Sequence, residues 1–191
     1  MKWVWIFDLD GTLVHSEHDY KAMKRRLRLP PDLALLEGVA TRPEAERPAL
    51  LAEIHRWEEE LAARTRPVEG AAEVLAGLLD RRRSIGILTR NTRASALRSL
   101  DAAGLLAMVD PRFVVGRDEA APKPSPAGVH ALLGRWNALP GDACLVGDFR
   151  FDLEAARAAG VESIWFDPDR TGQFAGLSDH VVHRLVDLLP A

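Results

Sequence analysis

Four short polar runs hold residue types that together suit the handling of phosphate. They are Asp8-Leu9-Asp10-Gly11-Thr12, Thr89-Arg90-Asn91, Pro122-Lys123-Pro124, and Gly147-Asp148-Phe149-Arg150-Phe151-Asp152. Between them they supply four carboxylates, the Thr89 hydroxyl and a lysine. Carboxylate oxygens are hard ligands, and Mg2+ takes a few of them together with phosphate oxygens. A lysine and a hydroxyl suit the phosphate oxygens that remain. Asp8 and Asp10 stand two apart, so in an extended chain they face the same way. Gly11 then lets the backbone turn away sharply. Taken singly, these residues have ordinary explanations. A threonine after a strand is usually a turn residue, Asp148 and Asp152 would serve as a helix cap and a first-turn acid, and a lone lysine is usually solvated. Lys123 stands out because the chain has four lysines against twenty-one arginines, and this one lies between two prolines. A calcium loop of EF-hand type needs glycine at its sixth position, whereas Gly11 is fourth in its run.

The elements that must position these runs are legible around them. Apolar stretches at 3–7, 84–88, 112–115, 143–146 and 163–166 are short, apolar on both faces, and rich in β-branched or aromatic residues. That is the pattern of strands in a buried parallel sheet. Helical patterns lie between them at about 70–82, 92–103, 125–138 and 150–160. Asn91 or Thr92 caps the second of these, Gly104 ends it, and Ser125-Pro126 opens the third. Strand alternating with helix predicts a doubly wound, Rossmann-like α/β sheet with right-handed crossovers. Ligands of such sheets bind beyond the carboxyl ends of the strands, where the four polar runs fall. The stretch 15–67 breaks the alternation. It holds no good strand and reads as helices at about 16–28, 32–38 and 43–64, interrupted by prolines. Residues 167–180, with Pro168, Gly172 and Gly176, read as loop.

Composition sets the outer bounds. At 191 residues the chain fits one domain, or one domain with a small insert, and can bury a core without staples. Apolar residues make up 47% and charged residues 28%, which are globular values. A net charge of −3 argues against general nucleic-acid binding, which needs a basic face. Cys144 is the only cysteine, so no internal disulfide forms and a cysteine-based zinc site lacks its pair. No apolar run approaches the ~18 residues of a membrane span, and the N-terminus lacks the longer apolar region of a signal peptide. The expectation is a cytoplasmic protein, monomeric or weakly dimeric, with neither nucleic acid nor membrane as partner. Trp57 is read as packing within the insert, and the basic residues 21–28 as a largely solvated helix face.

In their order and strand context the four runs resemble the motifs of the haloacid dehalogenase-like phosphatase superfamily, and the match spans nearly the whole chain. The insert is similar to the helical cap that phosphoglycolate phosphatase-like members carry between the first motif and the second strand. The resemblance implies a core of 1–14 and 68–191 and a cap of 15–67. It also implies a Mg2+-dependent phosphatase acting on small phosphomonoesters through an aspartyl-phosphate. Asp8 would attack phosphorus, and Asp10 would protonate the leaving oxygen and then deprotonate water. Asp8, the backbone carbonyl of Asp10, and Asp148 would hold Mg2+. Asp152 would bind it directly, through water, or by orienting Asp148. Thr89, Arg90 and Lys123 would bind phosphate. Two positions depart from the family's frequent pattern, His15 in Leu13-Val14-His15-Ser16 and Arg90 after Thr89. Both stand where substrate choice is set. His15 is read as a substrate contact, and Arg90 with the basic residues 21–28 as partners for a second negative group on a small anionic substrate. The alternatives are a phosphomutase using the same aspartyl-phosphate, and a non-catalytic phospho-ligand-binding or receiver-like module. Receivers are shorter, lack an insert, and phosphorylate an aspartate after a later strand. No aspartate directly follows strand two or three here.

Overall fold

The computed structural model describes residues 2–15 and 17–189. Strand β1 (Val4–Phe7) is buried nearly throughout and lies at the centre of a six-stranded parallel sheet. The small ribbon strands β2 (Val14–His15) and β3 (Arg66–Pro67) lie outside this sheet. β4 (Ser84–Leu88), β5 (Val114–Val115), β6 (Ala143–Gly147), β7 (Glu162–Phe166) and β8 (His180–Val182) complete it, in the order β5-β4-β1-β6-β7-β8. The register decides what meets at the carboxyl edge. Phe7 pairs with Ile87 on one side and Val146 on the other, so Asp8, Thr89 and Asp148 emerge close together.

Four helices cover the two faces of the sheet. α4 (Ala71–Asp80) and α5 (Arg93–Ala102) share one apolar cluster with Phe7, Ile87 and Val146. α6 (Ala127–Trp136) and α7 (Arg150–Ala159) pack in another, with Val4, Ile6 and Leu145. The doubly wound sheet expected from the sequence is the observed fold. Thr92 caps α5 by accepting from Ser95 N at 3.2 Å, and Gly104 follows in the left-handed region at φ 71°. α6 starts later than Ser125-Pro126 suggests, with Ser125 Oγ accepting from Ala127 N at 3.3 Å.

Between β1 and α4 the chain makes three helices, α1 (Tyr20–Arg26), α2 (Leu35–Ala40) and α3 (Arg47–Ala62). A 3-10 turn at Glu44–Glu46 leads into α3. They bury their own apolar cluster, Met23, Leu29, Leu35, Val39 and Ile54, separate from the two on the sheet. All three are shorter than expected. Asp19 caps α1 late by accepting from Ala22 N at 2.8 Å, and a proline near the start of α3 fixes where that helix begins.

The structure corrects the sequence reading at the short strands. The stretch from 15 was expected to hold none, yet β2 pairs antiparallel with β3, Val14 opposite Pro67 and His15 opposite Arg66. This ribbon joins the two ends of the insert. Ser16, expected with His15 at the hinge, lies outside the described residues. β8 stands at the end of a stretch expected to be loop, with Phe166 opposite Val182. β5 keeps two residues, because Pro111–Phe113 forms a 3-10 turn. Among the described residues no helix is long and apolar enough to cross a membrane.

Candidate active site

The turn after β1 is fastened to β6, where Asp8 N donates to the Val146 carbonyl at 2.8 Å. Gly11 adopts φ +84°, and a Cβ there would stand 2.3 Å from Asp148 Oδ2. Only glycine meets both requirements. Thr12 Oγ1 donates to Asp148 Oδ1 at 3.2 Å, tying the first run to the fourth. Asn91 Nδ2 donates to Asp10 Oδ2 at 2.8 Å, tying the first run to the second. Thr89 is buried, and its hydroxyl accepts from Asn91 N at 3.1 Å.

Lys123 is fully buried at the centre of this group. Its ammonium donates to Asp8 Oδ1, to Asp152 Oδ1 at 2.6 Å, and to the Leu88 carbonyl at 2.7 Å. A buried charge is stable only when paired and hydrogen-bonded, and here all three N–H groups have acceptors. Asp152 is held from its other oxygen too, where Oδ2 accepts from Phe149 N at 3.1 Å. A Cβ on Gly147 would stand 2.3 Å from Asp152 Cγ, so that contact also requires glycine.

Burial raises Asp8, with Lys123 opposing the effect and Asp10 adding to it. Burial, then Asp8 and Asp152, push Asp148 up to about 8. Burial also raises Asp152, to about 6, against the pull of Lys123. Burial alone would lower Lys123, but Asp152 and Asp8 outweigh it and hold the ammonium above the ordinary lysine value. Crowded carboxylates of this kind favour a bound cation. Asp8, Asp148 and Asp152 each offer an oxygen within 4.8 Å of the others. An all-carboxylate donor set suits a hard divalent ion such as Mg2+.

These groups line one end of a cavity of about 380 Å³. Asp8, Asp10, Thr89, Arg90, Lys123, Asp148 and Asp152 all reach it, so seven of the eight residues named from the sequence come together. His15 does not. It is exposed on β2 and does not line the cavity. His18, three residues on, takes the inward place, with Nδ1 3.5 Å from Asp10 Oδ1. Burial lowers His18 to about 4, so at neutral pH it is an uncharged ring. Tyr20 stacks on it at 5.2 Å and lines the cavity. Burial and the carboxylates of Asp10 and Asp8 raise the Tyr20 phenol, which stays protonated.

Sequence reasoning named Asn91 only as a candidate helix cap and gave no role to Tyr20 or Glu58. Glu58, on α3, lines the cavity and is paired with Arg117 at 2.8 Å. The signal was periodic. Ile54, Glu58 and Ala62 lie four apart and share the buried face of α3. Glu58 was obscured by standing in the acidic triplet Glu58-Glu59-Glu60.

A doubly wound sheet that gathers carboxylates and a lysine at its carboxyl edge, beneath an inserted helical segment, is the architecture of a Rossmann-like hydrolase. The chain belongs to the haloacid dehalogenase-like hydrolase family, whose model matches residues 34–166. It is 30% identical over 178 residues to the validoxylamine A 7'-phosphate phosphatase of Streptomyces hygroscopicus, covering 83% of this chain and 82% of that one. It is 31% identical over 185 residues to the phosphoglycolate phosphatase of Rhodospirillum rubrum, covering 82% and 76%. Its fold superimposes on a haloacid dehalogenase-like hydrolase from Bacteroides fragilis with a TM-score of 0.84 at 20% identity, over 98% of this chain and 100% of the other.

Proposed function

We propose that this hydrolase is a Mg2+-dependent phosphatase that cleaves small phosphomonoesters through an aspartyl-phosphate on Asp8. In this reading residues 1–14 and 68–191 form the core, and 15–67 form a cap over the site. The observation that carries the proposal is the setting of Asp8. Its carboxylate is fixed by Lys123, belongs to the three-carboxylate cluster, and lines the cavity beside Asp10. Two relatives named as phosphatases support the same reaction class.

The steps follow from the chain's own groups. An Asp8 oxygen attacks phosphorus, and the bond from phosphorus to the ester oxygen breaks. Asp10, held by Asn91, gives that oxygen a proton. Asp10 then takes a proton from water as the water attacks the aspartyl-phosphate. The new bond to phosphorus replaces the bond to Asp8, leaving inorganic phosphate and the alcohol. Lys123 favours the ionised form of Asp8 against the effect of burial and holds it in place before attack, and the Thr89 hydroxyl faces the phosphoryl oxygens. Asp8, Asp148 and the backbone carbonyl of Asp10 would hold Mg2+, with Asp152 orienting the set through its bonds to Lys123 and Phe149 N. Bound there, Mg2+ supplies charge neutralisation, the main demand of phosphoryl transfer.

The test is phosphate release from a panel of small phosphomonoesters. EDTA abolishes turnover, Mg2+ restores it, and Ca2+ does not, because Ca2+ takes more ligands at longer distances. Full activity in EDTA, or in Ca2+ with Mg2+ stripped, contradicts the proposal.

A further inference from the structure

The leaving group of the ester must occupy the part of the cavity beyond the carboxylate cluster, so the groups that line this part decide what it can be. The cavity, at about 380 Å³, lies within the ~300–1,000 Å³ of sites that take drug-sized ligands. The insert contributes Lys24, Ala34, Leu35 and Leu36 to its wall, and the start of α7 contributes Phe149 and Phe151. In a wall so largely apolar, the few polar groups fix orientation and specificity.

The charges on this wall are of two kinds. Arg90 directs Nη2 to both oxygens of Glu37 at 2.7 Å and Nη1 to the Lys123 carbonyl. Glu58 is paired with Arg117 at 2.8 Å. Each of these charges is matched by an opposite one from the chain itself. Lys24 differs. Its ammonium donates to the carbonyls of Pro31 and Leu33 at 2.6 and 3.1 Å, and among the described residues no carboxylate pairs with it. An ammonium has three N–H groups, so one remains for a ligand. Of the basic residues in 21–28, Lys24 is also the one that lines the cavity. Lys21, Arg25, Arg26 and Arg28 are exposed, and Arg26 turns to Glu53. A half-buried cation among apolar side chains attracts an anion more strongly than one in water. A hydrogen bond to an ionised partner is roughly twice as strong as a neutral one.

We infer that Lys24 anchors a second anionic group on the substrate's leaving group, set apart from the ester oxygen by an apolar body of about ring size. The substrate class is a phosphomonoester of a hydroxy acid larger than glycolate. The inference rests on the phosphatase reading above. It narrows the sequence expectation from a basic stretch to one lysine, and it gives Arg90 a different task. The Arg90 fork closes the cavity wall through Glu37 instead of receiving substrate.

Matched pairs test it. 4-(Phosphooxymethyl)benzoate and 4-(phosphooxymethyl)benzamide share a shape and a kind of leaving alcohol, and differ by one charge. The benzoate should lead the benzamide in kcat/KM by about tenfold or more, the scale of one charge-assisted hydrogen bond made or missed. This comparison needs no variant. Lys24→Gln keeps N–H donors for the Pro31 and Leu33 carbonyls and removes the charge, so the lead should vanish. Lys24→Arg keeps the charge and should keep most of the lead. Phosphoglycolate and its amide form a short pair, whose ratio should respond less to Lys24→Gln. A wild-type benzamide that equals or exceeds the benzoate, or a lead that Lys24→Gln leaves unchanged, overturns the inference while leaving the phosphatase intact. A response of the short pair as large as that of the long one also overturns it, since the anchor would then stand beside the phosphate. Release of phosphate from none of the four esters, nor from p-nitrophenyl phosphate, removes the phosphatase reading and the inference with it.

Discussion

Asp8 is held by opposing forces. Burial disfavours its charge, Lys123 favours it, and Asp10 works against it, with a net rise above the ordinary carboxyl value. An acid whose folded value is raised lowers the stability of the fold once ionised. Asp8→Asn should therefore abolish turnover without lowering Tm at neutral pH, since it removes one crowded charge and keeps Asp152 on Lys123. A kinetic assay with a melting curve on the same preparation checks both halves. Asn91 offers a milder test. Its amide donates to Asp10 Oδ2, so Asn91→Ala should cost kcat roughly tenfold, below the full ~10²–10⁴-fold of general acid–base help. KM should move little, because Asp10 acts on protons more than on ground-state binding. An effect confined to KM would argue that Asn91 holds substrate directly.

The turn after β1 decides the site more than any single helix does. Gly11 needs a left-handed backbone and an empty Cβ position beside Asp148. Gly11→Ala should cost about 1 kcal/mol or more in backbone strain and push Asp148 off the cluster. Activity should fall at least about a hundredfold, and Mg2+ should no longer raise Tm. Retained Mg2+ stabilisation would show that Asp148 has room to move. The elements that hold this turn were legible because they are buried nearly throughout, and β1, β4 and β6 are almost wholly apolar runs. What sequence missed was short or exposed. β8 has three residues, two of them exposed, and the ribbon of β2 and β3 has two per strand, too few to show a period. The clustered carboxylates were legible from type and position at strand ends. Tyr20 and Glu58 were not, because their roles depend on how the insert lies over the sheet, and Asn91 was not, because its amide meets Asp10 only once β4 lies beside β1. His15 and His18 show the same limit, since spacing alone could not say which one turns inward.

At the scale of the molecule, the buried acids tie stability to pH and metal. Asp148, at about 8 when folded and 3.8 by its ordinary value, keeps its proton at pH 6.5 in the folded chain and loses it by unfolding. The folded state binds more protons, so stability falls as pH rises toward 8. Asp152 and Glu58, at about 6, act the same way lower in the range. His18, lowered to about 4, acts oppositely but only below its ordinary 6.5. The acids Asp110, Asp179 and Asp187 are held below 3.8 by their hydrogen-bond donors and are ionised throughout. In EDTA, Tm should therefore drop by a few °C, on the scale of ~2–4 °C per kcal/mol for a chain this long, between pH 6.5 and 8. Mg2+ should recover more at pH 8 than at 6.5, since binding to the folded state alone adds stability. A metal-free Tm that rises across this interval would contradict the crowded-carboxylate account. The central claim is covalent, and it is tested most directly by trapping. Asp10→Asn protein, mixed with a 32P-labelled phosphomonoester in Mg2+ and quenched in acid, should carry close to one label per chain. The label should be released by hydroxylamine and map to the peptide containing Asp8. Turnover by the wild-type enzyme with no label on the variant, or label on a residue other than Asp8, would contradict it.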